Sequence, residues 1–293
     1  MDKILEKLAC PSCNRSVRLV DKQNTLICIE CGKLYEIKGK VPIMLDDASK
    51  EEIRGYLSSV DGKQMVSEYN KKDTFQKLYR AAVKITGGSD FHIPVKKKFN
   101  EIINSTGQHG LVLEIGSGIH RLHEKIINVD IDLFENVDVV SNAAKIPFLN
   151  ESVDAIFILA VLEHTRQPHA VVQECYRVLK RGGTIYAEVP FVFRCHSYPT
   201  DFWRYSLQGL EELFRDFDKE EDGVCVGPSS GLLTFLTHYV SLFSFSNNNI
   251  INRLVKGLTF CLFFPIKYLD IFLLKNKRAH ELAAGLYYMG RKR

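Results

Sequence analysis

Three groups of residues in this 293-residue chain have the types and spacing to do chemistry. Cys10-Pro-Ser-Cys13 and Cys28-Ile-Glu-Cys31 form two CxxC pairs with 14 residues between them. Each pair brings two thiolates to one ion from a tight turn, and two such turns complete a tetrahedral zinc site. Four protein ligands close that site, so its ion is structural rather than catalytic. The second group is Leu111-Val-Leu-Glu-Ile-Gly-Ser-Gly118, followed by a run that ends on Asp130. Gly116 and Gly118 allow a sharp turn and a close approach of backbone to ligand. A carboxylate at the tip of the following strand can accept both hydroxyls of a ribose, so the pair reads as a nucleoside pocket. The third group packs His196, Tyr198, Asp201, Trp203, Arg204 and Tyr205 into ten residues. It is too polar and aromatic for a plain connector, and Arg204 is suited to a phosphate or carboxylate.

The elements that must position these groups are those of a parallel α/β sheet. Leu111–Ile115 is a near-continuous apolar run, as in a strand covered on both faces. The spacing predicts a short strand and then a loop over 137–148, further strands over 152–164, 184–191, 223–227 and 283–292, and helices over 167–183 and 206–217, the latter with a serine N-cap. Val17–Ile29 alternates like a hairpin between the cysteine pairs, and so short a segment needs its metal to fold. The domains expected are a zinc ribbon over 1–46, a charged helical linker or lid over 47–104, a nucleoside-binding domain over 105–227 and 281–293, and an apolar insertion over 228–280. Within the linker, 73–85 has an apolar stripe at helical spacing, read as packing against the main domain or as part of a lid.

The glycine turn, the acidic strand end, Ser152-Val-Asp-Ala-Ile, Leu162-Glu-His and Arg177-Val-Leu-Lys-Arg-Gly-Gly183 together resemble class I S-adenosylmethionine-dependent methyltransferases, over about 107–227 and the last strand. The resemblance implies a doubly wound, Rossmann-like α/β sheet with S-adenosylmethionine as cofactor. It implies that Glu114 organises the turn and reaches the methionine amino group, and that Gly116, Ser117 and Gly118 pass against methionine and ribose. Asp130 then holds the ribose hydroxyls. Asn142-Ala143 stands where the family has Asp-Ala beside the adenine, and Leu159 and Ala160 line the cofactor. One departure is clear: only eleven residues separate Gly118 from Asp130, so the first crossover helix is shortened or lost. The tail of the ribbon, 34–45, resembles a small zinc-ribbon family that includes activators of RNA and protein methyltransferases. That likeness implies a docking or stabilising module.

Methyl transfer asks mainly for proximity and alignment, with a base only when the acceptor keeps its proton. The 196–206 run resembles one found in methyltransferases encoded with surface-glycan genes. On that basis His196 or Asp201 is the expected base and Arg204 the acceptor-positioning residue, the alternative being that Asp201 and Arg204 pair and fix the loop. His164 is expected to be structural or a cofactor neighbour. Residues 231–245 and 254–274 are strongly apolar but interrupted by Lys256, Pro265, Lys267 and Asp270, which fits a helical hairpin in a membrane interface, or else a buried lid or dimer face. The expected activity is O-methylation of a glycan or lipid-linked sugar near a membrane. RNA, a quinone-like lipid, or cofactor binding without catalysis are the alternatives. A net charge of +4 is too mild to imply nucleic acid, and the opening MDKILEKLAC is not a secretory signal, so a cytoplasmic, peripherally membrane-bound protein is expected.

Overall fold

The fold was read from a computed structural model, which describes residues 2–20, 24–58, 95–196, 200–244 and 249–293. The stripe over 73–85 and Tyr198 lie outside the described residues.

The first unit begins with a short helix α1 (Asp2–Leu5), then β1 (Val17–Val20), β2 (Thr25–Cys28), β3 (Leu34–Lys38) and β4 (Val41–Pro42), which form an antiparallel four-stranded sheet in sequential order. Helix α2 (Asp47–Ser58) follows, with the buried Asp46 accepting from the Ser49 N–H at 2.9 Å. This unit is joined to the main sheet. Leu8 bridges Phe148, the Ala9 N–H donates to Pro147 O at 2.9 Å, and the Met44 N–H donates to Val140 O at 2.8 Å. Lys145 pairs with Asp46 across the same seam. The 146–150 loop beneath is held by Arg177, which donates to Ile146 O and Phe148 O.

The main domain contains α3 (Val95–Ser105), β5 (Val112–Ile115), β6 (Ile126–Asp130), β7 (Val139–Val140), β8 (Val153–Leu159), α4 (Pro168–Val178), β9 (Leu179–Pro190), α5 (Leu207–Leu213) and β10 (Phe217–Val226). Its order is β7-β6-β5-β8-β9-β11-β10, where β11 (Gly285–Lys292) closes the chain. Strands β7 to β9 run parallel, and β11 is antiparallel to both its neighbours. The inner strands are buried along their whole length, which is what their apolar runs require. This is the expected doubly wound sheet.

Several bounds differ from the sequence reading: the helix expected over 206–217 ends at Leu213, and the strand expected over 152–164 ends at Leu159. Helix α4 stops at Val178, not Gly183, because the Glu151 and Ser152 N–H groups donate to Arg177 O and Val178 O and satisfy its final carbonyls. Strand β10 begins at Phe217, six residues earlier than the expected 223, and its exposed Asp218–Glu221 charges suit a sheet edge.

The missing crossover is confirmed. Residues 118–125 contain no helix, and side chains do its work. Arg121 donates to Ile126 O, Asn136 O and Asp138, and the Asn128 amide donates to His120 O.

The insertion is helical: α6 (Pro228–Leu242), α7 (Asn249–Phe263), a 3-10 turn over Phe264–Leu269, and α8 (Asp270–Leu273). The buried Asp270 carboxylate accepts from the Ser229 and Ser230 N–H groups at 2.7 and 2.9 Å, so the end of the insertion caps its own first helix. No helix among the described residues is long and apolar enough to cross a membrane.

Candidate active site

Strand β5 delivers Glu114 and then turns through Gly116 (φ +72°) and Gly118 (φ +58°), both in the left-handed region that glycine enters freely. Gly116 also has a contact reason to lack a side chain, because a Cβ there would stand 2.3 Å from Cγ2 of Val161. The turn is therefore packed on the segment that leaves β8. Strand β6 ends on Asp130. Its Oδ2 accepts from the Gly118 N–H at 2.7 Å and its Oδ1 from the Asp132 N–H at 3.0 Å. Each oxygen keeps a second lone pair for a ligand hydroxyl. Burial raises the Asp130 carboxyl above its ordinary range, against the backbone donors that favour the anion.

Glu114 is buried, and its Oε2 has no hydrogen-bond partner. Burial pushes its carboxyl up to about 8; Arg121 opposes this and Asp130 adds to it. An orphaned buried carboxylate oxygen needs a donor, and a ligand ammonium would supply one. Ser117 is buried at the same turn, also with an unpartnered hydroxyl. This donor-poor, glycine-lined cradle fits S-adenosylmethionine, whose amino group and ribose are respectively a cation and a pair of hydroxyls.

The other expected cofactor positions are placed less directly. The Asn142 amide donates to Ser49 Oγ and Glu52 of α2, each at 3.2 Å, and its Oδ1 accepts from the Ala144 N–H. Its polar atoms thus tie the N-terminal unit to the main domain, and Ala143 packs against the core beside it. Leu159 is half-buried at the end of β8. Ala160 has φ +53°, a strained backbone for a residue with a Cβ, and lines a cavity of about 180 Å³.

That cavity is also lined by Glu163, Glu188, Phe193 and His196. Among the described residues predicted for the acceptor side, only His196 faces it. Asp201 and Arg204 do not line it; they pair with each other. Arg204 Nη2 donates to Asp201 Oδ2 at 2.7 Å and to Arg194 O at 2.9 Å, while Nη1 bonds Asp201 Oδ1 and Trp203 O. Asp201 also accepts from the His196 N–H at 2.7 Å. Arg204 holds the Asp201 carboxyl far below the usual carboxylate range. So stabilised an anion is a poor base, and an arginine so engaged has little left for an acceptor. The pair fixes the loop. Trp203 keeps its ring half-exposed, with Nε1 donating to Thr165 O at 2.8 Å.

The sequence reading passed over Glu163. It is 0 % exposed, and neither carboxylate oxygen has a hydrogen bond. Its Oε1 lies 3.7 Å from His164 Nε2 and 3.6 Å from His196 Nε2. The adjacency of Glu163 and His164 carried a signal, but the approach of His196 from 32 positions later did not.

In the N-terminal unit, the Sγ atoms of Cys10, Cys13, Cys28 and Cys31 all lie within 4.8 Å of one another, with closest pairs of 3.4 and 3.7 Å. A tetrahedral zinc with about 2.3 Å bonds has ligand edges of about 3.8 Å, so the four thiols fit that ion. Tyr35 OH lies 3.0 Å from Cys10 Sγ, an outer contact that orients it.

The family described as "Methyltransferase domain" matches residues 115–187. A UPF0434 protein of Nitrosococcus oceani is 37% identical over 49 residues, 17% of this chain and 83% of that protein. One from Methylobacillus flagellatus is 35% identical over 49 residues, 17% and 82% respectively. Among solved structures, phosphoethanolamine N-methyltransferase 2 of Haemonchus contortus in complex with S-adenosyl-L-methionine is similar at a TM-score of 0.45 and 15% identity, covering 82% of this chain and 59% of that one. A putative sarcosine dimethylglycine methyltransferase of Galdieria sulphuraria gives 0.46 and 13%, covering 73% and 97%. At these scores the assignment rests on the domain match, the strand order and the glycine turn. Residues 115–187 thus belong to the methyltransferase-domain family, and a 49-residue segment of the chain belongs to the UPF0434 protein family.

Proposed function

We propose that this methyltransferase O-methylates a hydroxyl of a lipid-linked or membrane-proximal glycan. The observation that carries the reading is the inside-out insertion beside the acceptor cavity. The buried side of α6 is Ser229, Ser230, Gly231, Thr234, Thr237 and Ser241 with one leucine, whereas Leu232, Phe235, Tyr239 and Leu242 face outward. The inner hydroxyls return to backbone carbonyls one turn back, as Thr234 does to Ser230 O and Thr237 to Leu233 O. Helix α7 adds Leu254, Leu258 and Leu262, the last two more than 70% exposed. Water penalises that arrangement, whereas lipid favours small and hydroxyl residues between helices and large apolar ones outside. Helix α6 starts two residues after Val226, which lines the cavity, so a lipid-anchored acceptor at the hairpin has a short path to Glu163 and His196.

Glu114, Gly116, Ser117, Gly118 and Asp130 hold the cofactor in this reading, and Leu159 and Ala160 border it. When bound, S-adenosylmethionine supplies an electrophilic methyl on a sulfonium. The chain's own residues orient the acceptor and take its proton. Glu163 is the base, because its oxygens lie buried without a hydrogen-bond partner, and His196 lies beside it at the cavity wall. The exposed face of Trp203 offers a platform for a sugar ring. Cys10, Cys13, Cys28 and Cys31 hold structural zinc, keeping the N-terminal unit on the edge of β7.

The test is transfer of labelled methyl from S-adenosylmethionine to membrane glycolipid extract, against delipidated glycan and RNA. Label in the lipid-linked fraction that disappears on Glu163→Gln supports the proposal. Label confined to RNA, or equal transfer to delipidated glycan, sinks its membrane part.

A further inference from the structure

Three ligand atoms meet at the cavity wall with nothing to hold them together. Glu163 Oε1, His164 Nε2 and His196 Nε2 all lie within 4.8 Å of one another. The outer nitrogen of each imidazole is a donor by exclusion. His164 Nδ1 contacts Thr200 O, a carbonyl that can only accept, so the proton is on Nδ1 and Nε2 bears the lone pair. Thr200 Oγ1 in turn donates to the backbone carbonyl of His164 at 2.8 Å, which ties the two residues together.

His196 Nδ1 lies 3.4 Å from three groups: Arg194 O, Asp201 Oδ2 and Arg204 Nη2. The first two accept. Arg204 Nη2 carries two hydrogens, and both are engaged at shorter range by Asp201 and Arg194 O. Nδ1 of His196 is therefore the donor, which leaves the lone pair on Nε2 in the neutral ring. The result is a buried carboxylate and two imidazole lone pairs converging without a donor. Such a set is suited to a cation, which would satisfy the carboxylate and both lone pairs together.

We propose that Glu163, His164 and His196 form a second, open divalent-metal site, with zinc as its natural ion. Two imidazoles and one carboxylate suit borderline transition ions, and they leave positions free for a ligand oxygen. Bonds of about 2.0–2.2 Å give ligand edges of about 3.4 Å. The present separations of 3.6 and 3.7 Å need only a small contraction. The two rings sit 5.0 Å apart at 74°, an arrangement that lets both nitrogens point at one ion. Thr200 O, and Asp201 with Arg194 O, are the outer acceptors that commonly orient metal-bound histidines. Facing the cavity, the ion would bind an acceptor hydroxyl and lower its pKa. The hydroxyl O–H bond breaks as the oxygen–metal bond forms, and the proton passes to Glu163 Oε2.

Metal stoichiometry of the full-length protein tests this without acceptor or cofactor, so the outcome is independent of the glycan assignment. The chain is stripped with a chelator, reloaded with Zn²⁺ or Co²⁺ and analysed by elemental emission. Two equivalents per chain are expected in the native protein. One is expected in Glu163→Gln and in His196→Ala, with the thiolate-to-cobalt charge-transfer band of the cysteine site intact as proof of folding. A single equivalent in the native protein, or two equivalents retained in both variants, overturns the proposal. Glu163→Gln is nearly isosteric, so it stands alone if His196→Ala does not fold.

Discussion

The backbone N–H of Gly118 donates to Asp130 Oδ2 at 2.7 Å, tying the glycine turn directly to the end of the neighbouring strand. This contact stands where the crossover helix is absent. The turn's position is thus set by the Asp130 carboxylate, to which the proposed function assigns the ribose hydroxyls. Asp130→Asn keeps the shape but removes the charge and one acceptor. Hydrogen bonds to a charged group contribute about 1.5–3 kcal/mol, so cofactor affinity should fall roughly tenfold to a hundredfold. Calorimetric titration of S-adenosylmethionine reads this, and unchanged affinity would remove Asp130 from the site.

Glu114 couples the site to pH. Its folded-state pKa is raised to about 8 from an ordinary 4.5, so the folded chain holds the proton more tightly than the unfolded one. That contribution to stability is complete below the unfolded value and is lost as pH rises through about 8. Glu114→Gln should flatten the corresponding fall in melting temperature. Binding of a cationic amino group should reverse the preference and expel the proton. S-adenosylmethionine titrations in buffers of different ionisation enthalpy should show proton release below about 8 in the native protein and none in Glu114→Gln.

The contact between the glycine turn and β8 predicts a partial rescue. Gly116→Ala places a Cβ against Val161 and imposes φ +72° on an L residue. Together these should destabilise the fold by about 1–3 kcal/mol. Val161→Ala in the same chain removes the clash but not the strain, so denaturant melts should show recovery of part of the loss. Full recovery would mean that the backbone angle costs nothing there.

The cysteine site should stabilise the seam between the two units. Chelation is expected to lower the melting temperature and to expose residues 8–44 to limited proteolysis, because Met44 and Ala9 are held to the main sheet only while the ribbon keeps its shape. Lys145→Ala should cost about 1–3 kcal/mol, since it leaves the buried Asp46 carboxylate without its charged partner.

Leu258→Glu with Leu262→Glu places two charges on the outer face of α7. Co-sedimentation with anionic vesicles should drop severalfold, while S-adenosylmethionine affinity stays at the native value. Equal sedimentation would show that this face does not meet lipid.

Much of this protein was determined by the sequence alone, where the physics is local. Two CxxC pairs carry their own ligand geometry, and buried strands such as Val112–Ile115 announce themselves by unbroken apolar runs. Gly116 and Gly118 reveal a turn because only glycine enters that backbone region cheaply. The shortened crossover was a matter of counting. What only the tertiary structure decided were encounters between distant segments. Asp201 and Arg204 could have served the acceptor or each other, and the saturated hydrogen bonding of the guanidinium settles them on each other. Asn142 turns its amide to Ser49 and Glu52, an encounter across about 90 positions that no spacing encodes. The importance of Glu163 follows from its lack of partners and from the arrival of His196, and burial and mutual distance exist only once the chain has closed on itself.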